Sequence, residues 1–273
     1  MTEMNEAPEG ASGGGDGVES LLKLRGIEKH FGPVQALYGV DLDLPAGQVT
    51  GLCGDNGAGK SVLTRCIAGV HQPDHGQIYF EGRPVHIRST RDASALGIET
   101  VYQDLALADN LDIVQNMFLG REQLSGAILD EGTMEIRSRE TLASLSVRTV
   151  KSVRQVVASL SGGQRQTVAI AKSVLWESKL VLLDEPTAAL GVAQTRQVLG
   201  LVRRLADQGL GVVIISHNMN DVFEVADRIV TLFLGRVAAE VKREETTIAQ
   251  VIELITTGRS GDIGLARAER VEI

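Results

Sequence analysis

The run Gly54-Asp55-Asn56-Gly57-Ala58-Gly59-Lys60-Ser61 constrains this chain more than any other stretch. It fits the phosphate-loop pattern of glycine, four residues, then glycine, lysine and serine or threonine. The flanks agree with it. The apolar residues 49–53 read as a buried strand, and Val62, Leu63, Cys66, Ile67 and Val70 recur at helical spacing across 60–70. Glycines let a backbone wrap closely and turn its amides inward, so oxyanions sit among donors at the positive end of the helix. Lys60 adds a full charge and Ser61 a hydroxyl for magnesium, so Gly54 through Val62 are the expected nucleotide-binding residues. Asp55 is an acid inside an anion cradle, and its side chain is expected to point away from the phosphates. An ordinary glycine turn before a helix is the plainer alternative; the agreement of loop, strand and helix argues against it.

Such a loop needs a sheet and a core around it. With 273 residues, 43% of them hydrophobic, the chain can bury one large core, or one core plus a small lobe. A net charge of −8 argues against a nucleic-acid surface, which requires a basic face. Only two cysteines occur, Cys53 and Cys66, both at positions read as apolar, so neither a disulfide nor a zinc site is expected. No apolar run approaches the roughly 18 residues of a membrane span, and the N-terminus shows no basic, apolar leader. A cytoplasmic chain able to dock on a membrane protein is expected.

Residues 1–17 hold five glycines, four acids and no lysine or arginine, so residues 1–20 read as a disordered tail. From Leu21 the pattern is β: Val40, Leu42 and Leu44 alternate with Asp41 and Asp43, and Pro45-Ala46-Gly47 turns the chain into the loop strand. Residues 77–80 and 85–87 read as short strands of a separate layer, and 98–103 as a further strand. Between 104 and about 160 a helical period takes over, with Ile113, Val114, Met117 and Phe118 on one stripe and Met134, Leu142 and Leu145 on another, as an inserted lobe would show. Strand and helix then alternate again: a strand at 180–183, a helix striped by Val198, Leu199, Val202 and Leu205 and closed by Gly209, and a strand at 212–215. A hairpin follows around Gly235-Arg236, then a helix over 247–255. From Arg259 the chain reads as a solvated tail, and there is no internal repeat.

Four apolar runs end on polar groups: Cys53 on the phosphate loop, Val101-Tyr102 on Gln103, Leu183 on Asp184-Glu185, and Ile215 on Ser216-His217. In an open parallel sheet such strand ends face one ligand crevice. Aliphatic residues ending in two carboxylates fit a magnesium-holding strand, with Asp184 near the metal opposite Ser61 and Glu185 beside the reacting phosphate, able to take a proton from water. A surface turn helped by Pro186 is the plainer alternative. Gln103 and His217 carry less weight alone, since a lone histidine is more often structural; their strand-end positions raise them.

Leu160-Ser161-Gly162-Gly163-Gln164 is a second glycine-rich helix start, capped by Ser161 and leaving amides free for an anion. It has no lysine. It reads either as a capped helix or as a half-site that meets phosphates bound to another molecule.

In this order, the phosphate loop, Gln103, residues 160–164, the run 181–185 and His217 resemble an ABC transporter ATPase, over residues 21 to about 258. The resemblance implies an α/β fold: a phosphate-loop ATPase core with a mixed, mainly parallel sheet, an antiparallel β layer and an inserted helical subdomain. It implies ATP and Mg2+ as ligands, with Lys60, Gln103, Glu185 and His217 in the chemistry and Ser61, Gln103 and Asp184 at the metal. It also implies head-to-tail homodimers in which Ser161, Gly162, Gly163 and Gln164 of one copy close over ATP held by the other. Phe31 matches the aromatic that stacks on adenine, though a core role is equally open. Gly191 departs from the pattern, which carries aspartate there, and puts communication across the dimer through that loop in question. Residues 54–61, 102–107 and 187–191 resemble single-cassette monosaccharide importers of the ribose or fructose type, with another small solute such as a branched-chain amino acid, or a non-transport cassette, as the alternatives. The implied assembly is a homodimer on the inner face of the cell membrane, bound to permease subunits and fed by a periplasmic solute-binding protein, with no nucleic acid. Cassettes acting on DNA or ribosomes would show a coiled-coil insert, zinc-spaced cysteines or basic stripes. A small-molecule kinase would have no use for residues 160–164, and a silent module would not keep Lys60, Asp184, Glu185 and His217.

Overall fold

The computed structural model describes residues 20–147 and 149–265. The tail expected at 1–20 lies outside these except for Ser20, as does the stretch 266–273. The chain opens with β1 (Ser20–Phe31) and β2 (Val34–Pro45), whose alternation buries Val40, Leu42 and Leu44 on one side and leaves Asp41 exposed on the other. After the turn at 46–47 comes β3 (Val49–Gly54), then the loop, then α1 (Lys60–Ile67). This helix is shorter than expected. Gly69 turns at φ 72°, where a Cβ would lie 2.3 Å from the Ser89 carbonyl, and Val70 is left 45% exposed rather than on the buried stripe.

Next come β4 (His75–Phe80), β5 (Arg83–Val85), α2 (Thr90–Ala95) and β6 (Ile98–Val101). The lobe follows: α3 (Ile113–Phe118), a two-stranded ribbon of β7 (Leu124–Ser125) and β8 (Ile128–Leu129), and α4 (Glu131–Ser144). Both expected stripes are buried, with Ile113, Val114, Phe118 and Leu145 fully enclosed. The short ribbon gave no period of its own. α5 (Gly162–Val174) packs against α3 and α4 as well as β6, joining lobe to core.

The remaining elements are β9 (Leu180–Asp184), α6 (Val192–Asp207), β10 (Gly211–Ile215), α7 (Met219–Val225), β11 (Arg228–Phe233), β12 (Arg236–Lys242) and α8 (Ile248–Thr257). Last comes a small hairpin of β13 (Arg259–Ser260) and β14 (Ile263–Gly264), which packs on α8 and β12 where a solvated tail was expected. The β11–β12 turn falls at Leu234-Gly235, one residue earlier than expected, because both residues take positive φ (47° and 78°), as a tight primed turn demands.

Two sheets result. β2-β1-β4-β5 form an antiparallel layer, and β12-β11-β3-β10-β9-β6 a six-stranded sheet that is parallel except at β12. Period two divides the large sheet between two cores: Leu180, Leu182, Val213 and Ile215 face the antiparallel layer and α1, while Val181, Leu183, Val212 and Ile214 face α5, α6 and the lobe. Burial on both faces explains why these strands read as unbroken aliphatic runs. Register brings the strand ends level: Val101 pairs with Leu183, Asp184 with Ile215, Ile215 with Leu52, and Leu232 with Gly54.

Candidate active site

The loop between β3 and α1 is shaped by contact on both sides. A Cβ on Gly54 would lie 2.7 Å from the Leu232 carbonyl, and one on Gly59, at φ 100°, would meet Leu37 and Ala36 at 2.9 and 3.0 Å. Among the described residues, the amides of Gly57, Gly59, Lys60, Ser61 and Val62 find no acceptor, whereas those of Ala58 and Leu63 bond to Asp55 and Gly59. Converging unpaired donors at a helix start form an anion cradle. Lys60 Nζ donates to the carbonyls of Gly54 (2.7 Å) and Asp55 (2.9 Å), which hold the ammonium inside the loop. The Asp55 side chain is exposed, as expected, and accepts from the Asn56 amide at 2.7 Å. Beneath the loop, burial pushes the Cys53 thiol up to about 12 and the Cys66 thiol to about 11, so both stay protonated and chemically inert.

Asp184 and Glu185 end β9 beside this cradle. Burial, then the Glu185 charge, raises the Asp184 carboxyl above its ordinary range, with Arg65 and Lys60 opposing the rise. Glu185 takes φ 49°, uncommon for a residue with a Cβ. Its amide donates to the Ile215 carbonyl at 2.9 Å, and its Oε1 lies 2.9 Å from Nδ1 of His217 and accepts the His217 amide at 3.2 Å. Behind it, the buried Thr187 hydroxyl donates to buried Asp221 at 2.6 Å, fixing the loop to α7.

Gln103 is exposed just past β6 and has no hydrogen bond among the described residues. Burial raises the phenol of its neighbour Tyr102 against a hydrogen bond to Thr100, and the charges of Arg65, Asp184 and Asp104 act on it more weakly. The strand end thus belongs to the same crevice. Phe31 is 43% exposed, which excludes the core role; its ring meets His71 edge to face at 5.1 Å, with Lys29 Nζ 5.6 Å from its centroid. Arg65, one turn along α1 from Ser61, acts on both Asp184 and Tyr102. Sequence reading missed it, because an exposed helical arginine carries no motif.

Residues 161–164 form a separate half. Ser161 caps α5, its hydroxyl accepting from the Gln164 amide at 3.3 Å while Gln164 Oε1 accepts from the Ser161 amide at 2.9 Å and its Nε2 donates to Thr149. The amides of Gly162 and Gly163 find no acceptor among the described residues. A Cβ on Gly163 would lie 2.9 Å from Gln194, so α6 braces this start. No hydrogen bond or ion pair among the described residues joins it to residues 54–61. Gly191 begins α6 in extended backbone without a side-chain cap.

A family model described as ABC transporter matches residues 37–188. The chain is 46% identical over 248 residues to the xylose/arabinose import ATP-binding protein XylG of Sulfolobus acidocaldarius, covering 91% of this chain and 98% of that one. It is 45% identical to the fructose import ATP-binding protein FrcA of Rhizobium meliloti, covering 87% and 94%. Among solved structures, a nucleotide-free ATP-binding cassette from an ABC transporter matches with a TM-score of 0.73 at 25% identity over 86% of this chain and 95% of that one. A dimeric bacterial ABC transporter cassette matches at 0.68 and 25% identity over 81% and 98%.

Proposed function

The chain belongs to the ABC transporter family of ATP-binding cassettes, and from that premise we propose that it is the ATP-hydrolysing subunit of an importer for a monosaccharide. The observation that carries the chemistry is the carboxylate of Glu185, held against His217 in the same crevice as an unpaired amide cradle and its lysine. The amides of 57 and 59–62 receive phosphate oxygens, and Lys60 exchanges its two carbonyl partners for them. Glu185 accepts a proton from the water that attacks the γ-phosphorus, the bond to the ADP oxygen breaks, and His217 holds the carboxylate in place. Phe31, exposed at the end of β1, offers its face to the adenine, and Gln103 reaches into the crevice from β6.

Magnesium fits the donors present. The Asp184 carboxyl is burdened by burial and by Glu185, so a cation beside it is favourable. No group of three or more His, Cys, Asp or Glu side chains able to hold a metal occurs among the described residues, so Ser61, Gln103 and nucleotide oxygens would complete the shell. Bound there, the ion supplies positive charge against the phosphates.

Ser161 through Gln164 form a donor set without a lysine, and a second copy of the chain would bring it onto ATP in a head-to-tail sandwich. The cassette then spans 21–258 with its lobe at about 104–160. No helix among the described residues is long and apolar enough to cross a membrane, so the sugar would pass through separate permease subunits, with this chain on the inner face of the cell membrane and a periplasmic binding protein delivering the solute. The relatives named for xylose, arabinose and fructose support the sugar class.

The test has two arms. Glu185→Gln should keep ATP binding and lose at least about a hundredfold in turnover; retained hydrolysis sinks the catalytic reading. Vesicles holding the chain and its co-purified permease should take up a pentose or hexose on adding ATP, and uptake of a non-sugar alone would overturn the substrate class.

A further inference from the structure

Outside the nucleotide crevice, a cluster of aromatic and guanidinium side chains surrounds Trp176, the only tryptophan in the sequence. Trp176 stands between the end of α5 and the start of β9. Phe118, the last residue of α3, meets its ring edge to face at 5.4 Å. The guanidiniums of Arg121 and Arg137 lie 5.4 and 5.1 Å from its centroid, and Arg137 also donates to the Leu175 carbonyl at 3.3 Å. α3, α4 and the end of α5 are thereby gripped as one body.

Arg121 reaches further. Its Nη2 donates to Glu99 Oε1 at 3.0 Å and to the Ser94 hydroxyl at 2.5 Å, and that hydroxyl donates to the same Glu99 oxygen at 2.5 Å. Glu99 lies on β6, at the edge of the large sheet, where among the described residues it pairs only with β9. β6 is therefore held by its ladder to β9 and, through Glu99 on the lobe-facing surface it shares with Val181, by the Arg121 contact, and four residues past Glu99 it delivers Gln103 to the crevice. An isolated surface ion pair contributes little. This guanidinium is instead held by a carboxylate, a hydroxyl and an aromatic face at once, which restricts where the lobe can sit relative to β6. The backbone beside it is also confined: Glu177 takes φ 56°, and Gly97, at φ 84°, accepts the amides of both Lys179 and Leu180.

We propose that Arg121 is a positioning residue that carries the orientation of the helical lobe to Gln103 through Glu99 and β6, with Trp176 as the point on which the lobe bears. The inference rests on the ATPase reading above, which supplies the reason for Gln103 to be held in register. Arg121 itself contacts Trp176, Ser94 and Glu99 and none of the residues assigned to the nucleotide.

The test uses the full chain with Mg-ATP. Arg121→Gln and Glu99→Gln should each lower kcat about tenfold while KM for ATP stays within about twofold, because the cradle is untouched and only a remote placement is lost. Arg121→Lys, which keeps the charge toward Glu99, should recover most of that loss. A second readout is Trp176 emission: ATP should shift it in a Glu185→Gln chain, and adding Glu99→Gln, which replaces no side chain in contact with the indole, should abolish the shift. Unchanged kcat in both glutamine variants, or a parallel fall of kcat, ATP affinity and melting temperature without rescue by lysine, would overturn the role of Arg121. Absence of any ATP response in the unsubstituted chain, in turnover and emission alike, would overturn the ATPase reading instead.

Discussion

Glu185 combines three constraints: positive φ, a main-chain bond to β10, and a carboxylate shared between the amide and ring of His217. Backbone in that region is costly and persists only where its surroundings fix it, here the Thr187–Asp221 bond and buried Pro186. Asp184 next to it is strained electrostatically rather than sterically. Its folded carboxyl titrates above the unfolded value of 3.8, so its contribution to stability is complete below that value and is lost as pH rises through the raised folded value. Asp184→Asn should therefore raise the melting temperature of the nucleotide-free chain at pH 7, and the difference should vanish below pH about 3.8. The same substitution should weaken the stabilisation given by Mg-ATP. Thermal melts across pH with and without nucleotide check both; a variant less stable than the parent at pH 7 would contradict the sign.

At the scale of elements, one buried side chain ties residues 108–112 to α3. Asn116 in α3 is fully buried; its Oδ1 accepts the Ala108 amide, and its Nδ2 donates to the carbonyls of Ala108, Leu111 and Asp112. Asn116→Ala leaves these groups unsatisfied and should cost about 3 kcal/mol, read as a lower urea midpoint at constant slope. α6 offers the opposite case. Gly191 caps it without a side chain, in extended backbone with nothing within 4 Å of an added Cβ. Gly191→Asp should gain a few tenths of a kcal/mol through a new cap, on the order expected for glycine against aspartate at that position. A loss of stability there would show that the loop needs glycine for some other reason.

For the whole molecule, the phosphate cradle and the Ser161 helix start are two donor sets that no hydrogen bond or ion pair among the described residues joins. Two copies placed head to tail would satisfy both. In a mixture of Lys60→Ala and Ser161→Arg chains, each heterodimer carries both lesions in one composite site and neither in the other. Hydrolysis should reappear on mixing two inactive proteins. Sedimentation of the Glu185→Gln chain should show dimers only with ATP, and failure of both would rule out the sandwich.

Apart from α2, α7, the β7–β8 ribbon and the β13–β14 hairpin, which it did not show, the sequence by itself determined the phosphate loop, the Asp184-Glu185 strand end, the Ser161–Gln164 cap and the order of the main strands and helices. Each of these is written locally: glycine spacing, aliphatic runs buried on two faces, and a capping box all act within a few residues. The tertiary structure decided what depends on contacts between distant segments. Phe31 is exposed because the hairpin tip projects beyond the core, although its pattern suits a buried strand equally well. Val70 is surface because α1 must stop where Gly69 packs against Ser89. The β11–β12 turn falls at Leu234-Gly235, where the Gly235 amide donates to Ala58 in the phosphate loop. The residues from Arg259 fold back because α8 and β12 offer them a surface. Arg65, Arg121 and Trp176 have no motif at all; each is defined by neighbours that the chain brings together only after folding.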